Sequence, residues 1–255
     1  MKLAIYIPAY NAAHTVALVL DRIPAEIKDK VQEIFIVDNA SVDSTYLTIV
    51  GYKVVNKEIE PKLTYIKNEK NLNYGGSQKL AYRYCIDKGY DAVVMLHGDA
   101  QYAPEEIPKL LEPIEKGEAD LVYGSRIAGH PIKGGMALWR YFGNRVLTII
   151  ENLVLGLNLS EFHSGYRIYS CKALEKIPFD KCSDDMHFDS EILIQFRLAG
   201  LRIAEKPIPT HYGKESHSPG FFHMVRYGLN ILWNLCGYLL HKWGIKKQEK
   251  FEVGE

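Results

Sequence analysis

Apolar and polar positions alternate in blocks along the first half of the chain. Short apolar runs at 3–7, 34–37, 63–66, 92–96 and 121–123 are separated by helically patterned stretches at 12–22, 43–56, 76–88 and 104–116. This alternation predicts βαβ units on a mostly parallel central sheet flanked by helices, an α/β fold. The runs Ile34-Phe35-Ile36-Val37 and Ala92-Val93-Val94-Met95-Leu96 are continuously apolar, as strands covered on both faces must be. Helix starts fit the same division: Ala103-Pro104-Glu105-Glu106 puts a proline and two acids in a first turn, and Gly75-Gly76-Ser77 opens another. A further strand is predicted at 201–204.

Ligands of open α/β sheets bind beyond the carboxyl ends of the strands. The polar segments there are Pro8-Ala9-Tyr10-Asn11, Asp38-Asn39-Ala40-Ser41, residues 68–76, His97-Gly98-Asp99-Ala100-Gln101 and Gly124-Ser125-Arg126. A carboxylate at Asp38 can accept hydrogen bonds from a ribose or a nucleobase; alone, it reads equally as a cap on the next helix. Asp99 and Gln101 share a face of an extended turn with His97 and offer oxygen ligands for Mg²⁺ or Mn²⁺, with an imidazole biasing the site towards Mn²⁺ if it coordinates. His97 reads otherwise as a hydrogen-bonded strand-end histidine. No GxGxxG or GxxxxGK[ST] follows a strand, so dinucleotide and P-loop readings lose their main support.

Composition narrows the partners. The 255 residues are 47% hydrophobic, ample for a buried core, and 31 Lys+Arg balance 31 Asp+Glu, so no global basic field points to nucleic acid. Cys85, Cys171, Cys182 and Cys236 form no CxxC pair and are expected as reduced thiols. No uninterrupted apolar stretch of about 18 residues predicts a membrane span, and the start of the chain shows no signal-peptide core, which predicts a cytoplasmic location.

Taken together, Ile7-Pro8-Ala9-Tyr10-Asn11, Val37-Asp38-Asn39-Ala40-Ser41-Val42-Asp43, the Asp99 turn and Gly124-Ser125-Arg126 resemble the successive motifs of glycosyltransferase family 2. The resemblance covers roughly 3–212. It implies a GT-A fold, a nucleotide-diphospho-sugar donor carrying uridine or guanosine, a divalent cation, Mg²⁺ or Mn²⁺, and inversion at the anomeric carbon. Carried over, it implies that Pro8, Tyr10, Asn11 and Asp38 hold the nucleoside, that Gly75, Gly76 and Gly98 permit close backbone approach, and that Asp99 and Gln101 hold the metal. His97 stands where the family's Asp-x-Asp motif has an acid.

Within that family the chain most resembles the dolichyl-phosphate mannose synthase-like and other polyprenyl-phosphate glycosyltransferases, whose pattern is matched by Arg126, Arg140 and Ser164-Gly165-Tyr166-Arg167. Asn144 departs from it, standing where a small hydroxyl residue is common. Two guanidinium forks suit an acceptor phosphate, which is already anionic and needs no general base; the alternative for both arginines is ion pairing within the protein. A saccharide hydroxyl acceptor, as in surface-polysaccharide assembly, would instead require a carboxylate base. Asp189 and Glu191 are the candidates, and they read also as an acidic helix N-terminus. Lys214 and His211, in a Pro- and Gly-rich loop, are candidates to close over the diphosphate.

Residues 1–215 are thus expected to form the catalytic domain, and 216–255 a C-terminal amphipathic helix with a polar basic tail. From 221 to 243 a broad apolar surface is interrupted by Arg226, Asn230 and Asn234, and lysines follow. This pattern fits peripheral contact with a membrane. It also fits a homodimer contact, or packing on the catalytic domain.

Overall fold

The computed structural model describes residues 1–210, 212 and 220–253, with the backbone alone for 221 and 222. Seven strands form one sheet in the order β3-β2-β1-β4-β6-β5-β7. The strands are β1 (Leu3–Ala9), β2 (Glu33–Asp38), β3 (Leu63–Lys67), β4 (Ala92–Met95), β5 (Leu121–Ser125), β6 (Arg167–Ser170) and β7 (Ile203–Pro207). All pairings are parallel except those of β6, which runs antiparallel to both β4 and β5. The expected fold class is borne out; 121–123 fall in β5, and the strand expected at 201–204 starts two residues later, as β7.

The helices are α1 (Val16–Arg22), α2 (Ala25–Lys30), α3 (Thr45–Val55), α4 (Asn73–Asp87), α5 (Ile107–Glu115), α6 (Leu138–Leu155), α7 (Cys171–Leu174), α8 (Phe188–Leu198) and α9 (Phe221–Lys242). α1 starts later than the apolar pattern suggests, because residues 12–15 form a turn in which the Ala12 carbonyl accepts from the amides of Thr15 and Val16.

Successive side chains of a strand point to opposite faces, so the continuous apolar runs feed two cores at once. Leu3, Ile5 and Ile7 join one layer, with Ile34, Ile36 and Val94; Ala4 and Tyr6 join the other, with Phe35, Val37 and Met95. α9 packs on the second layer through Tyr227, Ile231, Leu235 and Tyr238. The chain after it is no free tail: Phe251 is buried against Tyr238 and His241. Among the described residues no helix is long and apolar enough to cross a membrane.

Candidate active site

β1 is flanked by β2 on one side and β4 on the other, so the strand order reverses there and opens a crevice at the carboxyl ends. A cleft of about 1160 Å³ occupies this place and extends under α6 and α9. The backbone around it is strained. Asn11, Ala40 and Ala100, which follow β1, β2 and β4, and Asn73, which opens α4, all have positive φ, between 51° and 63°. Such conformations persist where surrounding contacts over-determine them, and they gather at sites of function.

Pro8, Tyr10 and Asn11 line the cleft from the end of β1. Tyr10 leaves half its surface exposed, a ring open to stacking. The Asn11 side-chain oxygen accepts the Val42 amide at 3.0 Å, tying this loop to the one after β2.

Asp38 does not reach the cleft. It is 1% exposed; its Oδ1 accepts the Ser41 amide at 2.8 Å and its Oδ2 the Tyr65 hydroxyl at 2.6 Å, so the carboxylate is spent on closing its own turn. The next residue, Asn39, lines the cleft instead. Its oxygen accepts from Asn68 Nδ2 and the Leu72 amide, and its Nδ2 donates to Asn71 Oδ1 and the Asn73 carbonyl, which holds the 68–73 loop in place. In the sequence, the asparagines at 68, 71 and 73 are the signal that goes with Asn39.

Gly75 and Gly76 sit in the first turn of α4. Neither lines the cleft. A Cβ at Gly75 would lie 2.3 Å from the Ser183 carbonyl oxygen, and the Gly75 amide donates to the Asp184 carbonyl at 2.6 Å. The close approach is to the protein's own chain. Gly98 does line the cleft, where its amide donates to the Pro8 carbonyl at 3.2 Å.

Asp99, Gln101 and His97 all line the cleft. Asp99 Oδ1 accepts the Gln101 amide at 3.0 Å across Ala100, while Oδ2 has no donor among the described residues. That leaves one hard anionic oxygen and a neighbouring amide for a cation. Among the described residues no group of three or more His, Cys, Asp or Glu side chains could hold a metal by itself. The donors fit a cation of the Mg²⁺ type, which takes one or two carboxylates and fills its other positions with phosphate oxygens and water.

The His97 ring sits between Tyr74 and Tyr102, at centroid distances of 5.9 and 5.1 Å, and its Nε2 is buried without a hydrogen bond. Burial pushes the imidazole below its ordinary pKa against the pull of Asp99 and Asp189, which favours the neutral ring. Gly165 makes room for it, since a Cβ there would stand 2.5 Å from His97 Nε2.

On the far wall Arg126 lines the cleft but is held fast by Glu161. Its Nε donates to Glu161 Oε1 at 2.9 Å, Nη2 contacts the same oxygen and donates to the His163 carbonyl at 2.8 Å, and its backbone amide takes Glu161 Oε2 at 2.9 Å. Burial alone would raise the fully buried Glu161 carboxyl. The Arg126 charge, with hydrogen bonds from Arg126 and Asn144, overrides this and holds it below the glutamate range. Glu161 was not among the expected residues; an acid three positions before the Ser164-Gly165 pair was its only mark in the sequence.

Arg140 lines the cleft from α6, its guanidinium 5.4 Å from the Trp139 ring centre and 5.7 Å from that of Tyr212. Partial burial, with repulsion from Arg126, lowers its pKa, and Tyr212 opposes the shift. Arg167 is wholly buried and donates to the carbonyls of Phe162, Ser164 and Asp189, which gives it a structural place.

Asp189 lines the cleft, accepts the Tyr74 hydroxyl on Oδ2 at 2.8 Å, and keeps Oδ1 without a hydrogen bond, 3.6 Å from Arg167 Nη1. Glu191 does not line it. Two positions along a helix turn a side chain by about 200°, and Glu191 accepts the Ser183 amide and Lys250 Nζ at 2.5 and 2.6 Å on the other side of α8. Of the two candidate bases, Asp189 is the one that the cleft holds. Lys214 and His211 lie outside the described residues.

The model of the family described as Glycosyl transferase family 2 matches residues 4–178. The chain is 28% identical over 247 residues to undecaprenyl-phosphate mannosyltransferase of Micrococcus luteus, covering 91% of this chain and 96% of that one. It is 30% identical over 244 residues to UDP-N-acetylglucosamine–dolichyl-phosphate N-acetylglucosaminyltransferase of Methanococcus voltae, covering 90% and 92%. Among solved structures it is similar in fold to glucosyl-3-phosphoglycerate synthase from Mycobacterium tuberculosis in complex with Mn²⁺, UDP and glucosyl-3-phosphoglycerate. There the TM-score is 0.67 at 20% identity, covering 92% of this chain and 80% of the other.

Proposed function

The chain belongs to glycosyl transferase family 2 and is a glycosyltransferase, and from that premise we propose that it moves a sugar from a UDP- or GDP-sugar to a polyprenyl phosphate, with inversion. The observation that carries this reading is the cleft's polarity of construction. One end offers Asp99, Gln101, Asn39 and the open Tyr10 ring; the other offers Arg126 and Arg140 beside the apolar side chains of α6 and α9. A nucleoside diphosphate suits the first end, and a phosphate on a hydrocarbon chain suits the second. The names of relatives that cover nine-tenths of the chain point to the same acceptor class.

In this reading the nucleoside lies against Tyr10, in a pocket whose floor Asn39 shapes. Asp99, joined by Gln101, would hold a divalent cation, with His97 as the third candidate ligand; the cation neutralises charge on the departing diphosphate. Arg126, pre-set by Glu161, fixes the wall against which Arg140 receives the acceptor phosphate, and a guanidinium meets phosphate with paired hydrogen bonds. The phosphate oxygen attacks the anomeric carbon from the face opposite the leaving group, and a single displacement of this kind inverts the centre. This displacement asks for no general base, because the phosphate is already anionic. α9 supports peripheral contact with the membrane that carries such an acceptor.

Asp189 favours a second reading, in which a carboxylate in the cleft deprotonates a saccharide hydroxyl. A donor panel of UDP- and GDP-sugars, incubated with polyprenyl phosphate and Mg²⁺ or Mn²⁺, separates the two. Lipid-linked sugar is the expected product. Nucleoside diphosphate release that needs a saccharide, and ignores the lipid, would favour Asp189 and the second reading.

A further inference from the structure

α6 is apolar on its outer face as well as on its inner one, where Leu147, Ile150, Val154 and Leu155 pack on the core. Its buried face carries Asn144, Thr148 and Glu151, 8%, 1% and 1% exposed, while Phe142, Val146, Ile149 and Leu153 on the outer face are 51–79% exposed. The inner polar groups have partners within the protein, and Glu151 Oε2 lies 3.1 Å from His163 Nε2 without a hydrogen bond between them. Asn144 Nδ2 donates to Glu161 at 2.8 Å, Thr148 to Asn144 at 3.2 Å, and Ser190 to Glu151 at 2.9 Å. Hydrogen bonds together with this apolar packing therefore fix which face of α6 turns inward, and the spacing of 142, 146, 149 and 153 aligns further apolar side chains in one stripe facing outward.

α9 lies beside it, with the open side of Gly228 toward Leu147 of α6. It buries Tyr227, Ile231 and Leu235 in the ordinary way but also leaves Val225, Leu229 and Trp233 exposed at four-residue spacing. The two stripes are continuous with the cleft: Phe142 and Val146 of α6, and Val225 and Leu229 of α9, line its mouth.

Charge identifies the occupant. The chain balances 31 cations with 31 acids, yet 127–150 contains no Asp or Glu and carries Lys133, Arg140 and Arg145. Residues 220–248 likewise contain no acid and carry Arg226, Lys242, Lys246 and Lys247. A second copy docked by a two-fold axis would set these two acid-free segments and their cations against themselves. An anionic bilayer meets both properties at once, hydrocarbon under the stripes and headgroups at the cations.

We infer that α6 and α9 form one bilayer-docking face, with α6 as its larger half, and that the protein binds an anionic membrane with the mouth of the cleft turned toward it. This deepens the polyprenyl-phosphate reading and rests on it for its purpose, but not for its test.

The test is co-sedimentation of the full chain with phosphatidylcholine vesicles, with and without phosphatidylglycerol. The variants are Ile149→Glu/Leu153→Glu on α6, Trp233→Glu on α9, and Leu47→Glu on the remote face of α3 as control; none of these residues lines the cleft. Binding is expected to require phosphatidylglycerol, to weaken with salt, to fall about tenfold or more in the α6 double variant, and to be unchanged by Leu47→Glu. UDP or GDP binding, read by calorimetry in every variant, reports an intact fold. Absence of vesicle binding, equal binding by the α6 variant, or a stable dimer broken by the same substitutions without vesicle binding would overturn the inference. Transfer to a water-soluble short-chain isoprenyl phosphate reports on the acceptor reading separately: vesicle binding without any such transfer leaves the docking face standing and removes that acceptor, and transfer without vesicle binding does the reverse.

Discussion

The edge of the cleft formed by β1, β2 and β4 and the wall formed by Arg126, α6 and α9 are made in different ways. At the strand edge, position is set by backbone: residues of positive φ follow three strands, a glycine lets β4 pass β1, and side-chain amides such as Asn39 staple the loops. At the wall, position is set by buried charge, with Glu161 gripping Arg126 and Glu151 and Asn144 turned inward on α6. The difference teaches where each half is vulnerable. Losing the edge carboxylate Asp99 removes an interaction with a ligand and leaves the scaffold, losing a staple such as Asn39 loosens one loop, and losing a wall partner leaves a charge buried alone.

Asp99→Asn gives the largest expected effect and the cleanest test of the edge. Transfer should fall about a thousandfold or more, in line with removal of charge stabilisation on a leaving group, while circular dichroism and urea unfolding stay as in the unaltered protein. A large loss of stability in this variant would erase the contrast between edge and wall. Glu161→Ala should show the opposite signature, lowering unfolding free energy by about 3–4 kcal/mol because Arg126 is left buried without its partner, as urea denaturation would register.

The same pair sets an acid limb. Glu161 has its folded pKa depressed, so its contribution to stability is complete above the unfolded glutamate value, about 4.3, and is lost as pH falls through the folded value. Urea midpoints should therefore decline below about pH 4, and Glu161→Gln should start lower at neutral pH and decline less steeply. Parallel declines in both proteins would assign the acid limb to other carboxylates.

Arg140→Ala sharpens the comparison within the wall, because Arg140 is partly buried beside the Trp139 and Tyr212 rings, whereas Arg126 is held against the wholly buried Glu161. Acceptor KM should rise about ten- to a hundredfold with donor KM unchanged, the loss of a charge-assisted contact worth about 1.5–3 kcal/mol. Steady-state kinetics with each substrate varied in turn would measure it. Asn39→Ala is the smallest, costing about 1–2 kcal/mol of stability through groups left unpaired, with weaker UDP or GDP binding by calorimetry; an unchanged nucleotide affinity would detach Asn39 from the nucleoside.

What could be read from sequence follows the same line. The strands β1, β2 and β4 announce themselves as apolar runs because both their faces are buried, and the motifs at their ends name the cleft. Asp38 and Asn39 differ only in which way a strand end turns, and a one-residue change of register decides it. Asp189 and Glu191 are separated by helical rotation in the same way. The α6 pattern shows two faces but does not say which is inside; that is settled by Glu161 and Ser190, distant in sequence. β6 was hidden because its four residues pair antiparallel with strands from two other segments, a contact that no local pattern encodes.

In this arrangement the edge handles a nucleotide-sugar and the wall a lipid phosphate. Its most direct measurement is the partition of radiolabelled sugar after incubation with labelled UDP- and GDP-sugars, polyprenyl phosphate and a divalent cation. The account predicts label in the lipid phase, equal in amount to released nucleoside diphosphate, and lost in Asp99→Asn. Nucleoside diphosphate released at the same rate without polyprenyl phosphate, with no label entering the lipid phase, would contradict it.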